Sequence, residues 1–67
     1  MPTVPSATDT QRALRLDLEL EERQLQRYRE RIEQAQELAL PDVAEALRPL
    51  LEQTQEHVRD LRSALGR

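Results

Sequence analysis

Between Gln11 and Leu38 the chain contains neither Gly nor Pro, and this uninterrupted stretch strongly favours one long helix. Its residues are mainly Leu, Glu, Arg, Gln and Ala, all of them good helix formers. We therefore predict a first helix over about 11–39, roughly 42 Å long. Pro41 ends it, because a proline disfavours the helical conformation at the residue before it.

A second helix is predicted over about 42–65. Asp42, with Glu45 three residues later, resembles an N-terminal cap, and Gly66 is a typical residue just past a helix end. Pro49 lies inside this segment and predicts either a kink or a short helix that restarts there. With only a short turn between them, the two helices should form an antiparallel hairpin, which makes the chain all-α.

Residues 1–10 differ from the rest of the chain. They contain two prolines and four Ser or Thr residues without helical periodicity, and predict a mobile arm that ends in helix-capping chemistry from Ser6, Thr8, Asp9 or Thr10. The arm has no charged segment followed by an apolar one, and nowhere is an apolar run as long as the roughly 18 residues of a membrane span. We expect a cytoplasmic protein that neither spans nor binds membranes.

The spacing of the apolar residues predicts how the hairpin assembles. On helix one a seam alternates steps of four and three residues, which is a heptad pattern; its members are Leu14, Leu18, Glu21, Leu25, Tyr28, Ile32, Ala35 and Ala39. On helix two the same alternation runs through Leu47, Leu51, Thr54, Val58, Leu61 and Leu65, with Val43, Leu50 and His57 on one shoulder of that stripe. Two helices that face only each other leave much of these apolar stripes exposed to solvent. We therefore expect two hairpins to pair into a four-helix bundle, or to assemble further. Leu16, Leu20 and Leu38 should lie on the opposite side of helix one, as isolated surface leucines or as a second contact.

Size and charge support self-association and exclude several functions. The chain has 67 residues and no cysteine, so neither disulfides nor a thiolate-bound metal can stabilise it. Its net charge of −3 and single aromatic residue argue against binding nucleic acid, which requires clustered positive charge. Cohesion must therefore come from helix packing.

Polar side chains interrupt both stripes at a few positions. Glu21 and His57 lie nearly equally far from the turn, so an antiparallel hairpin places them at the same height. A carboxylate on an apolar face needs a partner, and His57 is the side chain on helix two that fits. Thr54 can satisfy its hydroxyl on the carbonyl of Leu50, and Tyr28 can add its hydroxyl to the same polar cluster.

Three segments carry a resemblance to a known family, namely Leu14–Glu21, Tyr28–Ile32 and Leu51–Leu61. Together they resemble one helical pair of the ferritin-like superfamily, and look most like half a bacterioferritin or a two-helix encapsulated ferritin. The resemblance implies that Glu21 is a terminal metal ligand, that His57 is the histidine of Glu-x-x-His, and that Tyr28 lies beside the metal. It also implies that a homodimer completes a site for iron or another divalent ion.

One position departs from the family pattern. Thr54 stands where the family has the bridging glutamate of Glu-x-x-His, so a dimer offers two carboxylates instead of four. That charge does not balance two divalent irons, and it argues against ferroxidase turnover. Two glutamates and two histidines still suit one zinc, iron or manganese ion. Haem is not expected, because the only methionine is Met1, in the arm.

Several interpretations of Glu21 and His57 remain open from the residues alone. The two side chains can form an ion pair that fixes the register of the hairpin, ligate a metal, or act as an acid and a base without a metal. The leading hypothesis is a ferritin-like metal-binding or iron-storage-related protein whose site forms between subunits. The alternative is a metal-free helical scaffold or interaction module, or half of a bundle completed by a different ferritin-like partner.

Overall fold

The computed structural model describes residues 6–66. It consists of helix α1 (Ala7–Glu37) and helix α2 (Pro41–Ala64), which pack against each other as a hairpin. The predicted all-α helical hairpin is confirmed. Within residues 6–66, neither helix is both long enough and apolar enough to cross a membrane.

Helix α1 begins at Ala7, four residues earlier than predicted. Ser6 is the N-cap: its hydroxyl accepts a hydrogen bond from the Asp9 backbone N–H at 3.1 Å, and the Asp9 carboxylate accepts one from the Ser6 N–H at 3.3 Å. This reciprocal pair satisfies two backbone donors that a helix end leaves free. Assigning residues 7–10 to a mobile arm was therefore wrong, and residues 1–5 of that arm lie outside the described part of the chain.

The turn between the helices has the geometry of a Schellman motif. Ala39 has a φ of 55°, and the N–H groups of Ala39 and Leu40 donate to the carbonyls of Gln36 and Ala35 at 3.1 and 2.8 Å. Glycine usually occupies such a left-handed position, because a Cβ there is strained. In this protein the left-handed position is occupied by Ala39. Helix α1 therefore ends at Glu37, two residues before the predicted end at about residue 39.

Helix α2 begins at Pro41, and the N-cap is Leu40 instead of the predicted Asp42. Proline suits a first helical position because it lacks an N–H that would otherwise remain unpaired, while Asp42 in the first turn interacts favourably with the helix dipole. The helix continues through Pro49 to Ala64, so it does not restart at Pro49. Gly66 follows the end with a φ of 75°, as expected of a C-terminal stop.

The contact between the helices buries few side chains. Near the turn Ile32 and Ala35 pack with Ala44, and the half-buried Leu47 and Leu51 extend this cluster. Towards the open end the buried residues are Leu18, Thr54 and Val58. No side chain among residues 6–66 is completely shielded from water. The hairpin therefore has a contact line between two helices, and not an enclosed core.

The shape of the molecule follows from that arrangement. The chain measures 56 × 25 × 14 Å, so its thinnest dimension is that of one helix layer. It exposes 5529 Å² of surface. A compact protein of this mass would expose about 4,400 Å².

Candidate metal centre

Glu21 and His57 lie next to each other near the middle of the hairpin. Their nearly equal distance from the turn predicted this. Nδ1 of His57 lies 3.6 Å from Oε2 of Glu21. Both groups remain accessible: the side chain of Glu21 is 34% exposed and that of His57 is 52% exposed. The pair is therefore held between the two helices and open to solvent or to a neighbouring molecule.

The separation of these two atoms is informative. A hydrogen bond between a ring nitrogen and a carboxylate oxygen normally measures about 2.7–3.2 Å, which is shorter than the distance found here. Two donors that each lie about 2.1 Å from one tetrahedral metal ion are separated by about 3.4 Å. The pair is therefore a long ion pair between two half-exposed side chains, and imidazole and carboxylate are both common metal ligands.

A groove of about 380 Å³ contains this pair. Besides Glu21 and His57, its lining includes two further carboxylates, Asp17 and Asp60, and two leucines, Leu20 and Leu61. Leu20 was expected on the opposite side of helix one, and it borders the groove instead. Sequence reasoning missed both aspartates. The signal was present, because Asp17 lies four residues before Glu21 and Asp60 three residues after His57, on shared helix faces.

The two residues predicted to lie beside the metal do not line this groove. Thr54 is buried, with 6% exposure, and its hydroxyl donates to the carbonyl of Leu50 at 2.9 Å, as predicted. Tyr28 is half-buried, one heptad along α1 from Glu21. Thr54 thus points into the contact between the helices, where its short side chain offers no carboxylate to the groove.

One chain does not supply a complete metal site. Within residues 6–66, no three His, Asp or Glu side chains approach each other closely enough to hold a metal ion. Glu21 and His57 provide two donors, whereas a closed tetrahedral site requires four. Any ion bound here needs water, a ligand or a second protein chain to complete its coordination.

The pair lies on a surface of mixed polar and apolar side chains, which we call the open face. It comprises Glu21 and Tyr28 on α1 and the heptad-spaced Val43, Leu50 and His57 on α2. Val43 is 46% exposed and Leu50 is 41% exposed. Apolar side chains on a surface that also carries a polar pair are typical of an interface with another protein.

The fold and the pair define a class of protein: an all-α helical hairpin that carries a histidine–carboxylate pair on an open helical face. The family model described as Ferritin-like domain matches residues 1–67 of the sequence. The chain therefore belongs to the ferritin-like domain family. No curated protein and no solved structure matches it significantly.

Proposed function

We propose that two copies of this ferritin-like hairpin pair through the open face and bind one divalent transition-metal ion between them. Glu21 and His57 of each copy would supply the four donors. The observation that carries this proposal is the position of the pair, 3.6 Å apart and accessible on a helical face that also exposes Val43 and Leu50. One iron, zinc or manganese ion suits two carboxylates and two imidazoles, and family membership favours iron.

The charges of the groove favour a metal at such an interface. Glu21, Asp17 and Asp60 line the groove with a single imidazole, that of His57. Pairing two copies through this surface would bring six carboxylates together. Like charges at short range repel each other when water is removed, and a divalent cation offsets that repulsion. We therefore expect metal binding and pairing to promote each other.

The apolar part of the open face supports the same arrangement. Val43 and Leu50 lie on the same stripe of α2 as His57, so a partner that covers His57 also covers them. Burial of apolar surface contributes about 25 cal/mol per Å², which gives the dimer an attraction independent of the metal. A second copy is the natural partner, because an isologous interface requires only one self-complementary surface.

A two-metal ferroxidase centre does not fit these residues. Thr54 stands at the position of the family's bridging glutamate. Its side chain is buried, and its hydroxyl donates to the Leu50 carbonyl of the same helix, so it provides no bridging carboxylate. Two copies would contribute two glutamates and two histidines, enough for one ion. The proposed activity is binding and handling of a metal ion, without oxidative turnover.

Metal content and molecular mass test the proposal together. Protein purified without chelator should contain about one metal ion per two chains by elemental analysis. In light scattering, its mass should fall from dimer towards monomer when a chelator is added, and recover with Fe(II) under anaerobic conditions. Glu21→Gln and His57→Gln should each lose the metal.

Glu22→Gln is the matched control. Glu22 also forms an ion pair at 3.6 Å, with Arg62, but neither residue lines the groove of Glu21 and His57. The control should keep its metal and its mass. Equal metal loss in the two glutamate variants, or metal-free protein from every preparation, would contradict the proposal.

A metal-free helical interaction module is the second candidate, and Thr54 favours it. The internal hydrogen bond of Thr54 and the absence of a three-ligand cluster in residues 6–66 are the features expected of a bundle that has lost its chemistry. A dimer whose mass is unaffected by chelator and that contains no metal would support this candidate. A monomer under all conditions would instead indicate a different ferritin-like chain as partner.

A further inference from the structure

A second groove of about 440 Å³ lies on the other flank of the hairpin, between α1 and α2. Three arginines line it: Arg29 from α1, and Arg59 and Arg62 from α2. The remaining lining residues are Leu25, Gln55, Val58 and Ser63. This groove therefore has three guanidinium groups in its lining and no carboxylate.

That composition is unusual for this chain, which has more acidic than basic residues and a net charge of −3. Arg62 pairs with Glu22 at 3.6 Å, whereas Arg29 and Arg59 form no ion pair with any residue in the range 6–66. Another arginine-containing groove, formed by Arg27, Glu30, Arg31 and Gln34, includes its own carboxylate. Two of the three guanidinium groups at the groove of Arg29, Arg59 and Arg62 are therefore left without an ion-pair partner in the range 6–66.

We propose that the groove of Arg29, Arg59 and Arg62 binds a phosphate group. Guanidinium groups present paired N–H donors that match the oxygen atoms of a phosphate, and they stay charged at every physiological pH. Gln55 and Ser63 add an amide and a hydroxyl donor at the same groove. Val58, which is 4% exposed, and the half-buried Leu25 form an apolar floor that strengthens these electrostatic interactions.

Helical periodicity explains why these groups converge. Arg59, Arg62 and Ser63 lie four, seven and eight residues after Gln55, which places them on one side of α2. Arg59 lies two residues after His57, so the two side chains leave the helix about 160° apart. The phosphate site and the metal pair therefore occupy different flanks. Pairing through the open face leaves the arginine groove accessible, and this inference does not depend on the proposed metal function.

Titration of the full-length, chelator-treated protein followed by NMR tests the proposal. Inorganic phosphate should shift the signals of Arg29, Arg59, Arg62, Gln55 and Ser63 in a saturable manner, at constant ionic strength maintained with chloride. Phenyl phosphate, titrated in parallel, distinguishes the two sources of the group. Tighter binding of phenyl phosphate indicates a phosphate ester that also contacts the apolar floor, and equal binding indicates free phosphate.

Variants locate the site. Arg29→Gln and Arg59→Gln should each weaken phosphate binding about tenfold, the effect of losing one charge-assisted hydrogen bond. Arg27→Gln is the control, because its groove contains Glu30, and it should leave binding unchanged. All three side chains are exposed, so the fold should survive, which circular dichroism checks. Absence of saturation, equal shifts with chloride alone, or equal weakening by Arg27→Gln would overturn the proposal.

Discussion

Replacing Thr54 with glutamate restores the family's Glu-x-x-His pattern and tests the site at its weakest position. Thr54 is 6% exposed, so a glutamate there places a carboxylate in the contact between the helices. In the absence of metal, this burial should lower the free energy of unfolding by about 2–4 kcal/mol, since a buried charge without a partner loses its hydration. The apo form of Thr54→Glu should therefore be much less stable than the wild type, or unfolded.

Metal should reverse that loss. The added carboxylate lies three residues before His57, on a neighbouring direction of the same helix, and would bind the same ion. A ligand that binds only the folded state at 100 times its dissociation constant stabilises it by about 2.7 kcal/mol. Mn(II) is a suitable probe, since it takes carboxylate and imidazole ligands. Urea denaturation followed by circular dichroism at one fixed chain concentration, with chelator or with Mn(II), measures both effects.

Thr54→Gln is the matched control, because glutamine has the size of glutamate without its charge. It should lose stability through overpacking and show no more response to Mn(II) than the wild type. The reasoning fails if Thr54→Glu is as stable as the wild type in chelator, which would mean that position 54 is not enclosed. It also fails if Mn(II) stabilises the Glu and Gln variants equally. If the Glu variant is unfolded in chelator, recovery of helix on addition of Mn(II) is the readout.

Four further substitutions test the fold and the open face. Val58→Ala should lower the free energy of unfolding by about 2 kcal/mol, measured by urea denaturation, because Val58 is 4% exposed between the helices. Ala39→Gly should raise it by up to about 1 kcal/mol in the same assay, since glycine relieves the strain at a φ of 55°; a loss would mean that the greater entropy of the unfolded glycine chain outweighs the relief. Ser6→Ala should cost about 1 kcal/mol of local stability, seen as faster amide exchange in the first turn of α1, with no change near the turn. Leu50→Glu should shift the proposed dimer towards monomer in sedimentation equilibrium, as Leu50 is 41% exposed on the open face; an unchanged mass would show that the copies pair elsewhere or not at all.

The helices themselves were predictable because their signals are local. The stretch without Gly or Pro from Gln11 to Leu38 predicts α1, and Pro41 marks the start of the second helix. The start of α1 was missed because four residues offered capping chemistry, and only the reciprocal Ser6–Asp9 hydrogen bonds distinguish among them. Such bonds depend on backbone geometry, which residue type alone does not specify.

The candidate site was partly predictable for a similar reason. Equal distance from the turn is enough to bring Glu21 and His57 together, and the structure finds them 3.6 Å apart. The rotation of each helix about its own axis determines which other residues border the pair. In the structure these include Asp17, Leu20 and Asp60. The heptad stripe does not specify that rotation, and the burial of Ala44 near the turn had not been anticipated from it. A heptad pattern locates a seam more accurately than its flanks.

The thickness of the hairpin has a consequence for how long the protein survives in a cell. Because the molecule is 14 Å thick, its apolar residues are shielded on one side only, and a partner would complete the enclosure. If two copies pair as proposed, dilution lowers the stability of the protein, since each dissociation event returns a form with little protection against proteases. The lifetime of such a pair-forming chain should lengthen as its abundance rises, because proteolysis would remove single copies faster than paired ones.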